Sequence, residues 1–224
     1  MKTIVELFET TVDNYPENIY LWEKKEGKYH GTTYKQTHEK VINLAAGLVS
    51  MGLKKDDRAG LVADGRNDWI ISELGILYAG GINVPLSIRL EKNELAFRLK
   101  HSGSKYVFVS GIHTEKVEAI RDELPELEKV IYIDGKENPG ENNIDYNELI
   151  EKGKEYLKSH KHECETIWKE IRPNDLANIS YTSGTTADPK GIMLSHLNYA
   201  ANVVQSNTLM DLKTHWKTLA ILPW

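Results

Sequence analysis

The chain reads as an α/β protein with a largely parallel sheet and helices on both faces. Two observations carry this reading. From Arg58 to Ile133 short apolar runs alternate with segments of helical periodicity, the order that strand–helix–strand units impose on a parallel sheet. Further on, the apolar run Leu176 to Tyr181 leads directly into Thr182-Ser183-Gly184-Thr185-Thr186-Ala187-Asp188-Pro189-Lys190-Gly191. That stretch has the composition of a phosphate-binding loop placed at the end of a strand.

Taken in order, Thr3 with Glu6 forms a capping box for a first helix carrying Leu7, Phe8, Thr11, Val12 and Tyr15, and Pro16 stops it. Ile19 to Glu23 and Lys28 to Thr32 read as a hairpin around Glu26-Gly27. Thr33 with Gln36 caps a second helix, in which Val41, Leu44, Ala45, Leu48 and Val49 recur at helical spacing until Gly52. This helix has the makings of a packing element without chemistry. The alternation then runs Ala59–Ala63 (strand), Asp68–Ala79 (helix), Ile82–Leu86 (strand), Glu91–His101 (helix), Tyr106–Ser110 (strand), Glu115–Arg121 (helix) and Val130–Ile133 (strand). Within it, Asn67 reads as a cap, Trp69 as a core aromatic, and Arg89, Glu91 and Lys92 as surface. Asp134 to Asp145 has the Gly, Asn and Pro content of a loop, and a polar helix is expected from Asn147 to about His162. The sheet resumes at Leu176–Tyr181 and returns at Ile192–Leu194, after which Ser195 caps a helix carrying Leu197, Ala200, Ala201 and Val204. Leu219 to Trp224 reads as a buried strand that needs a ladder partner.

Composition sets bounds on function. At 224 residues the chain can form one large domain or two small ones. The single cysteine, Cys164, leaves no intramolecular disulfide and fits a reducing compartment, so a cytoplasmic location is expected. A net charge of -5 argues against a nucleic-acid partner. The N-terminus carries acids where a signal peptide needs an apolar run. The longest apolar stretch, Leu74 to Ile82, is too short to span a bilayer, which leaves only peripheral contact with a membrane open.

The 181–191 loop could be an ordinary polar turn, since Ser, Thr, Gly, Asp and Pro make those too. Its order points elsewhere. Thr-Ser-Gly-Thr-Thr, two residues, then Pro-Lys-Gly gathers backbone N–H groups, hydroxyls and an ammonium into one connection. It is not a Walker A loop, because Lys190 lies six residues after Gly184, Pro189 precedes the lysine, and a strand follows instead of a helix. A G-x-G-x-x-G fingerprint is absent from the sequence. His160, His162 and Cys164 carry metal-type ligands, but on a helix His162 faces away from the other two, so a solvated helix is expected. His196 lies near the loop in sequence, where a polar helix start is the simpler reading.

Residues Tyr181 to Gly191 resemble the signature loop of the adenylate-forming superfamily, and three further stretches agree. These are Thr33-Tyr34 opening a helix through Leu44-Ala45-Ala46-Gly47-Leu48, then Gly52 to Arg58, and Gly75 to Leu86 with Ala79-Gly80-Gly81-Ile82-Asn83-Val84-Pro85-Leu86. The flanking segments are more similar to fatty acyl-CoA synthetases than to amino-acid adenylation domains. One position departs from the pattern, Ala187 standing where the family usually has Gly.

The resemblance implies the N-terminal part of the large domain of the acyl-CoA synthetase-like fold. On this basis residues 1–52 and 218–224 form an incomplete sheet subdomain and 56–210 an α/β subdomain, with the family's C-terminal half absent. It also implies ATP, magnesium and coenzyme A as cofactors, a carboxylic acid as substrate, most simply a long-chain fatty acid, and nucleotide contacts from Thr182, Ser183, Gly184, Thr185, Thr186 and Lys190. Thr182 is further implied to lie near the metal. No catalytic acid or base is assigned, because an ionised carboxylate needs none in order to attack. The piece alone is expected to be inactive, with self-association through exposed terminal strands left open. Adenylation of an aryl or amino acid, or a stand-alone phosphate-binding module, remain as alternatives.

Overall fold

A computed structural model describes residues 2–136, 139–182, 189–210, 213 and 216–218. Helix α1 (Ile4–Asn14) opens with the Thr3–Glu6 capping box, and the hairpin β1 (Ile19–Lys25) and β2 (Lys28–Thr33) follows as a separate two-stranded sheet. Helix α2 (Tyr34–Ser50) starts on the Thr33–Gln36 capping box. The main sheet is then laid down by β3 (Arg58–Val62), α3 (Asn67–Tyr78), β4 (Ile82–Pro85), α4 (Lys92–Ser102), β5 (Ser104–Val109), α5 (Thr114–Glu118), β6 (Lys129–Tyr132) and β7 (Asn143–Asp145). Helix α6 (Tyr146–Lys169) leads back to β8 (Leu176–Thr182), which turns into β9 (Lys190–Ser195) and α7 (His196–Leu209).

The seven strands run in the order β7-β6-β5-β3-β4-β8-β9, all parallel to their neighbours except the antiparallel β8–β9 pair. Strand alternation divides the core in two. Ala59, Leu61, Tyr106, Phe108 and Ile131 face α1, α2, α3 and α6, whereas Val62, Val107, Val109, Val130 and Tyr132 face Leu95 and Leu99 of α4 and Val117 of α5. Side chains such as Leu44, Leu48, Leu61 and Leu99 are wholly or almost wholly buried, each contributing roughly 1.5–3 kcal/mol.

Several expectations are corrected in detail. The Asp134–Asp145 loop contains β7, which pairs Ile144 beside Ile131; three residues with one apolar side chain give too little pattern to read. The polar helix runs on to Lys169 with a break at His160 (φ -121, ψ 21), because Cys164 and Trp168 beyond the break pack inward. The segment expected to be one helix over Glu115–Arg121 is α5 flanked by single 3-10 turns. Asn67 is the first residue of α3 and not its cap, which is Arg66. The expected terminal strand 219–224 lies outside the described residues.

Candidate functional site

Strands β8 and β9 bring the two described ends of the expected phosphate loop together. Thr182 pairs with Lys190 across the antiparallel ladder, Tyr181 with Gly191, and Ser180 with Ile192. Both Thr182 and Lys190 are exposed. A hydroxyl and an ammonium thus stand side by side at the mouth of the connection. Ser183, Gly184, Thr185 and Thr186, the other expected phosphate contacts, lie outside the described residues, as does Ala187. Among the described residues no carboxylate pairs with Lys190.

Below this mouth the strands carry polar groups into the sheet. Asn178 of β8 is buried beside Asn83 of β4 and accepts from Ser180 Oγ at 2.7 Å. Asn83 Nδ2 donates to Glu73 Oε1 at 2.9 Å, while Asn83 Oδ1 is buried without a partner. Burial pushes the Glu73 carboxyl up, against the Asn83 hydrogen bond. Nothing in the residue pattern singles out this row, because Glu73, Asn83 and Asn178 lie far apart in sequence and meet only in the folded sheet.

His196 is corrected. It is the first residue of α7, but the cap is Ser195, whose Oγ accepts from Asn198 N. The His196 ring is buried, its Nδ1 lacks a partner, and burial pushes its pKa down to about 4 although Asp175 and Glu6 pull the other way. The other histidine group is spread out. His160 sits at the helix break with its ring stacked 4.0 Å from Tyr156, and Cys164 is buried, its thiol pushed up by burial. Among the described residues no group of three or more His, Cys, Asp or Glu side chains could hold a metal ion.

Two grooves lie elsewhere. One of about 860 Å³ runs between α1, α2 and α6 past His38 and Trp168. At its side Glu9 accepts from His38 Nε2 at 2.8 Å and Tyr78 Oη at 2.7 Å; burial opposes ionisation, but these bonds hold the Glu9 carboxyl below its usual range. The other, of about 940 Å³, is lined by Lys55, Gly80, Arg172 and Asp175. Neither is lined by Thr182 or Lys190. Among the described residues no helix is long and apolar enough to cross a membrane.

A parallel sheet covered on both faces, followed by an antiparallel strand pair that frames a hydroxyl- and lysine-bearing connection, is the architecture of adenylate-forming enzymes. The chain belongs to the AMP-binding enzyme family, which it matches over residues 8–224. It is similar to the long-chain-fatty-acid–CoA ligase ACSBG2 of Xenopus laevis, with 29% identity over 88% of this chain and 26% of that protein. It is also similar to gramicidin S synthase 2 of Brevibacillus brevis, with 28% identity over 88% of this chain and 4% of that one. Its fold matches the crystal structure of the N-terminal domain of FACL13 from Mycobacterium tuberculosis at a TM-score of 0.75 and 21% identity, covering 95% of this chain and 49% of that one. The chain thus spans about a quarter of the length of the frog ligase.

Proposed function

We propose that this chain is the phosphate-gripping part of an AMP-forming ligase that activates a carboxylic acid as acyl-adenylate and passes it to coenzyme A. The acid is a long-chain fatty acid in this reading. The observation that carries it is the register that sets Thr182 opposite Lys190 at the end of the β8–β9 pair, with Ser183, Gly184, Thr185 and Thr186 between them in sequence. Similarity to a long-chain-fatty-acid–CoA ligase supports the substrate class.

In the first half-reaction a carboxylate oxygen bonds to the α-phosphorus of ATP as the bond to pyrophosphate breaks. In the second, a thiolate sulfur takes the acyl carbon and AMP departs. Negative charge gathers on the leaving β- and γ-phosphates, and the Lys190 ammonium with the neighbouring hydroxyls is suited to meet it. No side chain of this chain needs to move a proton in the first step. Magnesium, when bound, supplies further neutralisation of the phosphate oxygens. The residues fit that ion in the usual sparse way: the exposed Thr182 hydroxyl offers one hard oxygen, and phosphate oxygens and water complete such shells.

Three further parts belong to this reading. In this reading residues 1–52 with 218–224 form one subdomain and 56–210 another; next to the second of these segments the Lys217 ammonium lies 4.4 Å from the centre of the Trp22 ring, on the first. Self-association of this piece through its terminal strands is part of the same reading; among the described residues strand β9 is at the edge of the main sheet and exposes Ile192 and Met193, a further surface that favours it. A cytoplasmic location fits the single unpaired cysteine.

Similarity to gramicidin S synthase 2 favours a second reading, adenylation of an amino acid. Carboxylate-dependent ATP–pyrophosphate exchange on the complete product of the reading frame decides between them. Exchange driven by long-chain fatty acids is expected; exchange driven only by amino or aryl acids would replace the substrate assignment, and none with any acid would leave a phosphate-binding module.

A further inference from the structure

We infer that His101 and Arg98 of α4 are positioning residues for the phosphate grip, acting through Tyr181. The inference rests on the reading of Thr182 and Lys190 as phosphate donors. Tyr181 directly precedes Thr182 and pairs with Gly191, the residue after Lys190. Its ring lies over that glycine: a Cβ at Gly191 would stand 3.4 Å from Tyr181 Cζ and 3.0 Å from Ile179 Cγ2. A side chain at 191 would therefore press on Ile179 and just touch the ring.

The phenol oxygen is held twice from α4. Tyr181 Oη donates to the Arg98 carbonyl oxygen at 3.2 Å and lies 2.8 Å from His101 Nδ1. With its one proton given to Arg98, Tyr181 accepts from His101, which must carry its proton on Nδ1. His101 is itself braced, its ring stacked on Phe97 at 5.5 Å and edge-on to Tyr181 at 5.8 Å. The Arg98 side chain is buried, donates to the Glu94 carbonyl oxygen at 2.9 Å, and places its guanidinium carbon 6.0 Å from the Tyr181 ring centre.

Strand pairing alone does not hold this end of the hairpin. On the β4 side β8 is paired at Asn178, opposite Asn83, and on the other side β9 is the edge of the sheet among the described residues. Past Asn178, then, packing of Ile179 and Tyr181 on the α4 side of the core and the hydrogen-bond tie from α4 to Tyr181 set where Thr182 and Lys190 stand. Donors held in place before phosphate arrives bind it without a further ordering cost.

The test is made on the complete protein with the acid identified by exchange. Tyr181→Phe keeps the ring over Gly191 and removes both hydrogen bonds. It and His101→Ala are each expected to raise the KM for ATP about fivefold to tenfold, with the KM for the acid unchanged and the melting temperature within about 2 °C. His101→Asn, which offers a donor near Nδ1, restores most of the loss. The double variant Tyr181→Phe/His101→Ala is no weaker than Tyr181→Phe alone, because the bond that His101 makes is already lost in Tyr181→Phe. Lys190→Ala, measured alongside, separates the two readings. If Lys190→Ala weakens ATP binding while Tyr181→Phe and His101→Ala bind as wild type, the positioning role is overturned. Fully additive losses in the double variant would also overturn it. ATP binding unchanged in Lys190→Ala would instead remove the phosphate reading itself.

Discussion

Gly153 of α6 lies against the main chain of Asn43 in α2: a Cβ at Gly153 would stand 1.8 Å from the Asn43 carbonyl oxygen and 2.5 Å from the Gly47 nitrogen. The contact is reciprocal, since a Cβ at Gly47 would stand 2.4 Å from the Leu149 carbonyl oxygen. Two helix backbones therefore touch, and no rotamer change can make room between them. Gly153→Ala is expected to force the helices apart and cost about 3 kcal/mol or more. The check is thermal unfolding, with a fall in Tm of roughly 6 to 12 °C; an unchanged Tm would show that α6 can shift freely on α2.

Thr182→Val should separate hydroxyl chemistry from shape. With the hydroxyl of the residue opposite Lys190 removed, binding of Mg-ATP is expected to weaken about fivefold to tenfold. Metal-free pyrophosphate should bind with little change, because Lys190 remains. Calorimetric titration with and without magnesium checks this, and equal losses in both would take Thr182 away from the metal.

Glu73 predicts a pH-dependent gain. Its carboxyl is pushed up by burial, so the folded chain holds that proton more tightly than the unfolded chain. Its contribution is complete below the unfolded value and is lost as pH rises from there through the folded one. Glu73→Gln keeps an oxygen for the Asn83 donor and removes the charge. The Tm at pH 7 should rise by about 2 to 4 °C, and the gain should vanish near pH 4. A gain of the same size at both pH values would mean that packing, not charge, is responsible.

His196 works in the opposite direction. Burial lowers its pKa from 6.5 to about 4, so the unfolded chain takes up the proton first. Stability is then full above about 6.5 and falls as the pH drops from there to about 4, by as much as roughly 3 kcal/mol. In His196→Gln the acid limb of stability should flatten over that window. Urea unfolding at pH 7, 5.5 and 4.5 measures it; parallel curves for the two proteins would mean that His196 does not titrate there.

The fold was legible where physical rules act locally. Capping boxes at Thr3 and Thr33 mark helix starts, and the alternation from Arg58 to Ile133 announces the parallel sheet. What escaped reading depends on residues far apart in sequence. Strand β7 exists because Ile144 finds Ile131, and α6 continues past His160 because Trp168 packs against the α1–α2–α3 side of the core. At the site, Thr182 and Lys190 stood out by type and order. Tyr181 has the same sequence signal as any strand aromatic, and its bonds to Arg98 and His101 span eighty residues or more. The burial of His196 is hidden from the sequence for a related reason: a helix-start position says nothing about what the tertiary fold lays over it.

Asn83 and Asn178 meet on adjacent strands although ninety-five positions separate them. Closing so long a loop has an entropic cost that shorter connections avoid. Strands β3, β4, β5 and β6 follow one another at short intervals and can assemble first. The β8–β9 stem then docks late onto a finished platform. Mutations in that stem should accordingly speed unfolding and leave the refolding rate nearly untouched.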